Sequence, residues 1–202
     1  MIVAAPAATP AADRPVSIVA LGDSLTAGFG LGASDAFPAK LERALAAKGI
    51  AVTVANAGVS GDTSSGGLAR LDWSVPPGTD AVILELGGND ALRGIDPTVT
   101  RQALDGILRA LAQRNIPVLF CGMLSPRNLG VEYAHTFDAI FPDLAKTYGA
   151  VFYPFFLDGV AGDLKLNQRD GMHPTAAGVD VIVVRILPKA EELLARARAK
   201  QR

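Results

Sequence analysis

Five short, almost unbroken apolar runs, at residues 16–21, 51–55, 81–86, 117–121 and 150–153, alternate with stretches whose apolar residues fall at helical spacing. Runs that apolar read as strands covered on both faces, and strands alternating with helices pair in parallel through right-handed crossovers. The pattern predicts an α/β fold, a five-stranded parallel sheet with helices on both sides. The chain's 202 residues suffice for one such domain, and a core of that size needs neither metal nor disulfide. The organisation expected is a single domain over 15–202 behind a flexible, Ala/Pro-rich arm over 1–14.

The helices have readable ends. Asp35 is placed to cap a helix over 36–48 that carries Phe37, Leu41, Leu45 and Lys48 on one side and stops at Gly49. Asp62 or Thr63 caps a short helix bearing Leu68 and Leu71, and residues 73–78, with Pro76 and Pro77, form a connection. Asp96 and Pro97 open a helix striped by Leu104, Ile107, Leu108 and Leu111. A further helix spans 133–148, and Thr175 caps the last one, which Pro188 kinks or restarts.

Composition excludes several classes of partner. The net charge is -1 with charges dispersed, which leaves no footprint for nucleic acid or an anionic membrane. No uninterrupted apolar run reaches the roughly 18–20 residues of a membrane span. Cys121, the only cysteine, closes an apolar run and reads as a buried, inert thiol. Gly28-Phe29-Gly30-Leu31-Gly32-Ala33 matches a loose dinucleotide pattern. It starts well past its strand, however, and the second strand lacks the acidic residue that would hold a ribose. Two isolated histidines offer no metal spacing, so neither cofactor nor metal is expected.

Parallel α/β sheets bind ligands beyond the carboxyl ends of their strands. Ser24 follows the first strand there, Gly61 the second, Asn89 the third, and Asp170 with His173 the fifth. Ser24 by itself reads as either a helix cap or a nucleophile, and a serine nucleophile needs a base. His135 falls on the 133–148 helix and reads as a surface or packing residue, whereas Pro174 biases His173 toward extended backbone. Asp170, three residues earlier, can turn back onto that imidazole and fix its tautomer. Alone, Asp-x-x-His-Pro reads as a turn before a helix; with Ser24 on the same rim it reads as an orienter and a base. The amides of Ser24 and Gly61 and the side chain of Asn89 are then candidate donors to a developing oxyanion.

Gly22-Asp23-Ser24-Leu25, Gly58-Val59-Ser60-Gly61-Asp62-Thr63, Gly87-Gly88-Asn89-Asp90 and Asp170-Gly171-Met172-His173-Pro174 resemble the four blocks of the SGNH (GDSL) hydrolases. Residues 66–71 and 85–94 are similar to the bacterial arylesterase, acyl-thioesterase and lysophospholipase branch. The resemblance implies a three-layer flavodoxin-like fold with strand order 2-1-3-4-5. It implies Ser24 as nucleophile, His173 as base, Asp170 as its orienter, and an oxyanion hole from Ser24, Gly61 and Asn89. It also implies a small-molecule ester or thioester substrate and, because members are often exported, a periplasmic or secreted location with a cytoplasmic one as the alternative. Residues 91–96, 123–131 and Phe155, Phe156 and Leu157 border the rim, and Leu92, Pro126 and Phe156 are candidates to line an acyl groove. A carbohydrate O-acetylesterase and a non-catalytic binding module on the same fold are the competing readings.

Overall fold

The computed structural model describes residues 14–201, so the arm expected over 1–14 lies almost wholly outside the described residues. Its sheet has five parallel strands, β1 (Val16–Gly22), β2 (Val52–Gly58), β3 (Ala81–Glu85), β4 (Val118–Cys121) and β5 (Val151–Tyr153), in the order β2-β1-β3-β4-β5. All five residues of the central β3 are buried, as its unbroken apolar run requires, whereas the edge strand β2 alternates at its start. The pairing register makes the strand ends level: Gly22 faces Gly58 on one side and Glu85 on the other, Glu85 faces Cys121, and Cys121 faces Tyr153. Every following loop therefore leaves the sheet at one height.

The helices are α1 (Ser24–Ala27), α2 (Phe37–Ala47), α3 (Ser64–Ala69), α4 (Leu71–Ser74), α5 (Gly88–Leu92), α6 (Pro97–Gln113), α7 (Val131–Tyr148) and α8 (Ala176–Gln201). Helices α2 and α8 pack together, while α6 packs against both α3 and α7, giving a layer on each side of the sheet. The stripe expected on α6 is buried, at Leu104, Ile107, Leu108 and Leu111. Its cap is Asp96, which accepts from Thr98 N at 2.8 Å. One apolar cluster runs from Val16 to Ala197 through both layers.

Several elements differ from the sequence reading. Asp35 does not cap α2; it ends a 3-10 turn, Ala36 is the cap, and the Asp35 carboxylate lies 3.5 Å from Lys40 Nζ. The helix starts one turn position later because Phe37 must enter the core and Pro38 suits the first turn. Lys48 is exposed at its end rather than on the packed face. Strand β2 runs three residues beyond 55, since Asn56, Ala57 and Gly58 pair with Ala20, Leu21 and Gly22. Asn and Gly are poor strand formers, and tertiary pairing overrides that here. Asn56 also blunts the free edge, accepting from Gly58 N at 2.9 Å, as Glu42 does from Val54 N at 2.7 Å. Thr63, not Asp62, caps α3; Trp73 belongs to α4 and is exposed; α8 continues through Pro188.

Phe37 and Phe156 meet edge to face, centroids 5.0 Å apart, between α2 and the segment after β5. Both are fully buried. Phe37→Ala is expected to cost about 3–5 kcal/mol, read as a lower urea midpoint with unchanged slope. A loss below about 1 kcal/mol would show that the site collapses without a cavity.

Candidate active site

Strand β1 ends at Gly22, where a Cβ would sit 2.0 Å from Thr26 Oγ1 and 2.6 Å from Glu85 Oε2, so only glycine fits. The chain then turns sharply into α1. Asp23 is the helix cap, its Oδ1 accepting from Leu25 N at 3.0 Å, and Ser24 is the first helical residue, buried on the rim. This point lies between β1 and β3, from which the chain winds outward in opposite directions, the switch point of the sheet.

His173 reaches Ser24 from 149 positions away: its Nε2 lies 2.9 Å from Ser24 Oγ, and its Nδ1 lies 2.7 Å from Asp170 Oδ2. With Nδ1–H donated to the carboxylate, Nε2 is left to accept from the hydroxyl, a tautomer assigned from this hydrogen-bond network. Asp170 Oδ1 accepts from Met172 N at 2.9 Å and His173 N at 3.0 Å, which makes a tight turn through Gly171 at φ 72°. The His173 and Met172 amides, then the imidazole, lower the Asp170 pKa to about 2. Asp170 thus stays ionised throughout the pH range in which a histidine titrates. The other histidine, His135, is exposed on α7.

Asn89, on α5, points into the same corner. Its Nδ2 donates to Asp23 Oδ2 and to Asp62 O, each at 3.0 Å. Gly61, at φ 82° in the exposed loop before α3, has its carbonyl held by Arg93 Nη2 at 2.6 Å. Ser24 and Asn89 line the groove described below; Gly61 stands beside it, one residue from Asp62, and does not contribute to its lining.

Three further residues escaped the sequence reading. Buried Arg70 donates to Asp62 Oδ2 at 2.6 Å and to Ala57 O and Gly22 O, each at 2.8 Å, which ties the Gly61 loop to the ends of β1 and β2. Glu85 lies beneath the turn that carries Ser24, its Oε2 accepting from Thr26 Oγ1 at 2.6 Å and from Asp23 N at 3.4 Å. Burial, reinforced by the nearby Asp23, pushes its pKa well above the usual carboxylate range. Burial likewise pushes Asp23 up to about 6, against the amides of Leu25 and Asn89 that favour its charged form. No signal in a single sequence marks these three, because most of their partners lie 13 to 66 positions away.

A groove of about 260 Å³ opens beside Ser24. Leu92 and Pro126 line it, together with Met123, Leu124, Phe155 and Leu157. Phe156 does not: it is fully buried against Phe37, and its amide donates to Gly122 O at 2.9 Å. The chain turns here, Asp158 N donating to Phe155 O at 3.1 Å and Val160 N to Leu157 O at 3.0 Å, and that turn docks Phe156 into the core while Phe155 and Leu157 line the groove. Cys121 is buried, with its thiol pKa raised by that burial. Among the described residues no group of three or more His, Cys, Asp or Glu is placed to hold a metal ion, and no helix is long and apolar enough to cross a membrane.

Residues 20–181 match the GDSL-like Lipase/Acylhydrolase family. Esterase TesA of Pseudomonas aeruginosa is 36% identical over 179 residues, covering 88% of this chain and 89% of that protein. Thioesterase 1/protease 1/lysophospholipase L1 of Escherichia coli strain K12 is 41% identical over 159 residues, covering 78% and 75%. The crystal structure of AlinE4, an SGNH-hydrolase family esterase, superposes with a TM-score of 0.75 at 46% identity, covering 90% of this chain and 97% of that one.

The Asp23 carboxyl holds its proton more tightly in the folded than in the unfolded chain, so its contribution to stability is greatest in acid. That contribution falls as pH rises from about 4 to about 6. Asp23→Asn lacks this titration. Thermal unfolding of both proteins from pH 4 to pH 7 should therefore show the difference in midpoint moving in favour of the variant as pH rises. A constant difference across that range would mean that Asp23 is not desolvated.

Proposed function

Because the chain belongs to the GDSL-like lipase/acylhydrolase family and is a carboxylic ester hydrolase of the serine type, we propose that Ser24, His173 and Asp170 carry out its chemistry. The observation that carries this reading is the continuous chain of hydrogen bonds from Asp170 through His173 to Ser24 Oγ, at 2.7 and 2.9 Å. His173 Nε2 accepts the Ser24 proton as Oγ attacks the acyl carbonyl carbon. The imidazolium, stabilised by Asp170, then protonates the departing alcohol or thiol. Water, deprotonated by the same imidazole, releases the acyl group and restores Ser24.

The oxyanion is assigned to the backbone N–H groups of Ser24 and Gly61 and to Asn89 Nδ2. Both Asn89 amide hydrogens are already engaged, by Asp23 and Asp62. Binding the oxyanion thus exchanges one of these partners for the reacting oxygen, and removing such a donor typically costs about 10²–10³ in kcat.

The groove points to the acyl side of the substrate. Its wall of Leu92, Met123, Leu124, Pro126, Phe155 and Leu157 is apolar. Its volume of about 260 Å³ sits just below the roughly 300–1,000 Å³ usual for ligand clefts. Those two features favour a short- to medium-chain acyl ester or thioester over a long one, and speak against the polar, open groove that a carbohydrate O-acetylesterase needs. A non-catalytic binding module has no use for a complete, hydrogen-bonded triad. The same reading takes 15–202 as one hydrolase domain and, from the family resemblance, an exported protein, periplasmic or secreted. Activity recovered only in the cytosolic fraction would count against export.

Turnover of p-nitrophenyl esters from acetyl to dodecanoyl tests the assignment. Ser24→Ala is expected to lower kcat by at least about 10³-fold, and Asp170→Asn by on the order of 10²–10⁴. Wild-type kcat/KM should climb several-fold for each two methylenes added, since each contributes up to about 0.8 kcal/mol. It should pass its maximum at medium length, where the groove is full. Full turnover by Ser24→Ala would refute the nucleophile, and a maximum at acetyl would refute the acyl groove.

A further inference from the structure

The Gly28-Phe29-Gly30 run, left over from the dinucleotide pattern, places an aromatic ring that burial does not explain. Phe29 is 49% exposed, yet its ring lies against the His173 imidazole, centroids 4.5 Å apart and planes inclined by 36°. Helix α1 ends at Gly28 in the left-handed conformation, φ 80°, and the Phe29 amide folds back to Ser24 O at 3.1 Å. The ring is thus carried by the same turn that carries Ser24. Gln168 locks this turn to the histidine turn: its Nε2 donates to Phe29 O at 2.7 Å and to Pro174 O at 3.0 Å, and its amide donates to His173 O at 2.7 Å. Gly30 makes the approach possible, since a Cβ there would come within 2.4 Å of Gln168 Oε1.

Hydrogen bonds to Asp170 and Ser24 fix the two nitrogens of the imidazole but leave it free to tilt about the line joining them. A ring packed against the imidazole removes that freedom. The face of an aromatic ring also carries negative charge density that attracts a cation. An imidazolium beside it is favoured at the moment the proton leaves Ser24, and the neutral imidazole of the resting site gains little. An interaction stronger in the transition state than in the ground state acts on kcat rather than KM. Asp170 from its own turn and Asp23 from the nucleophile turn are the charged or titratable groups in electrostatic contact with His173. Phe29 adds a contact to the ring itself, and it does not line the acyl groove.

We propose that Phe29 is a positioning residue for the ester hydrolysis, its ring holding His173 on the Ser24 hydroxyl and stabilising the imidazolium formed there. The inference rests on the assignment of His173 as base. Acylation and deacylation both pass through that imidazolium, so whichever step limits turnover carries the effect.

The test compares Phe29→Leu, which keeps an apolar cover but has no π face, with Phe29→Tyr, which keeps the face. Steady-state kinetics on p-nitrophenyl butyrate below its aggregation limit, with thermal unfolding in parallel, give the readout. Phe29→Leu is expected to lower kcat about tenfold with KM within about twofold, and Phe29→Tyr to keep kcat within about twofold of wild type. Should Phe29→Leu fold poorly, Phe29→Met makes the same comparison with a side chain that adapts to the gap. Wild-type kcat in the Leu or Met variant, an equal loss in Tyr, or a change confined to KM would overturn the inference. Ser24→Ala separates the two levels. If it abolishes turnover while Phe29→Leu keeps it, only the role of Phe29 falls; if it retains turnover, the triad and the role of Phe29 fall together.

Discussion

The level register of the parallel strands is the constraint on which everything else here depends. Gly58, Gly22, Glu85, Cys121 and Tyr153 end their strands side by side. The turns that follow β1, β2 and β3, and the long segment after β5, therefore open onto one rim. A slip of one residue in any pairing would exchange the side chains that strand presents to the two helix layers as well as shift its loop, so core packing enforces the alignment. Arg70 adds a local lock, bonding the ends of β1 and β2 and the Gly61 loop with a single guanidinium. Fork-shaped and always charged, arginine satisfies several oxygens at once in a way that lysine does not.

Under that rim the protein carries two acids that stability alone would not select. Glu85 is wholly buried, and Asp23 is nearly so; burial makes both harder to ionise, and the charge of Asp23 adds to the effect on Glu85. The geometry gives them a use. Glu85 receives the Thr26 hydroxyl and the Asp23 amide, which sets the turn in which Ser24 stands, and Asp23 caps α1 while orienting the Asn89 amide. Strain and unfavourable burial of this kind persist where the surroundings over-determine them, and they concentrate at functional sites. Phe29 belongs to the same economy: half exposed, it gives up burial to lie against His173.

Much of this was legible in the chain itself. The apolar runs, each bounded by turn residues, predict the five strands, their parallel pairing and the rim. Ser24, Asn89, Asp170 and His173 sort onto that rim because each sits at the end of such a run or in a turn after one. The Asp170–His173 pairing was legible because it is local, three positions apart, with Pro174 holding the histidine off helix. Less legible were ends and sides. Asp35 fits a cap, but the burial of Phe37 moved the helix start. Asn56 and Gly58 look like loop, but pairing with β1 drew them into β2.

Sequence by itself thus determined the α/β architecture, the rim and the four polar residues proposed to do the chemistry, since these follow from periodicity and local turn geometry. Tertiary structure alone decided which of Phe155 and Phe156 faces the groove, for that turns on Phe156 docking against Phe37, 119 positions away in the chain. It alone brought Glu85 beneath Asp23, Arg70 to the end of β1 and Gln168 to Phe29. A buried ion, a shared hydrogen bond or a ring contact has no signature along the chain, because its free energy comes from groups that only folding makes neighbours.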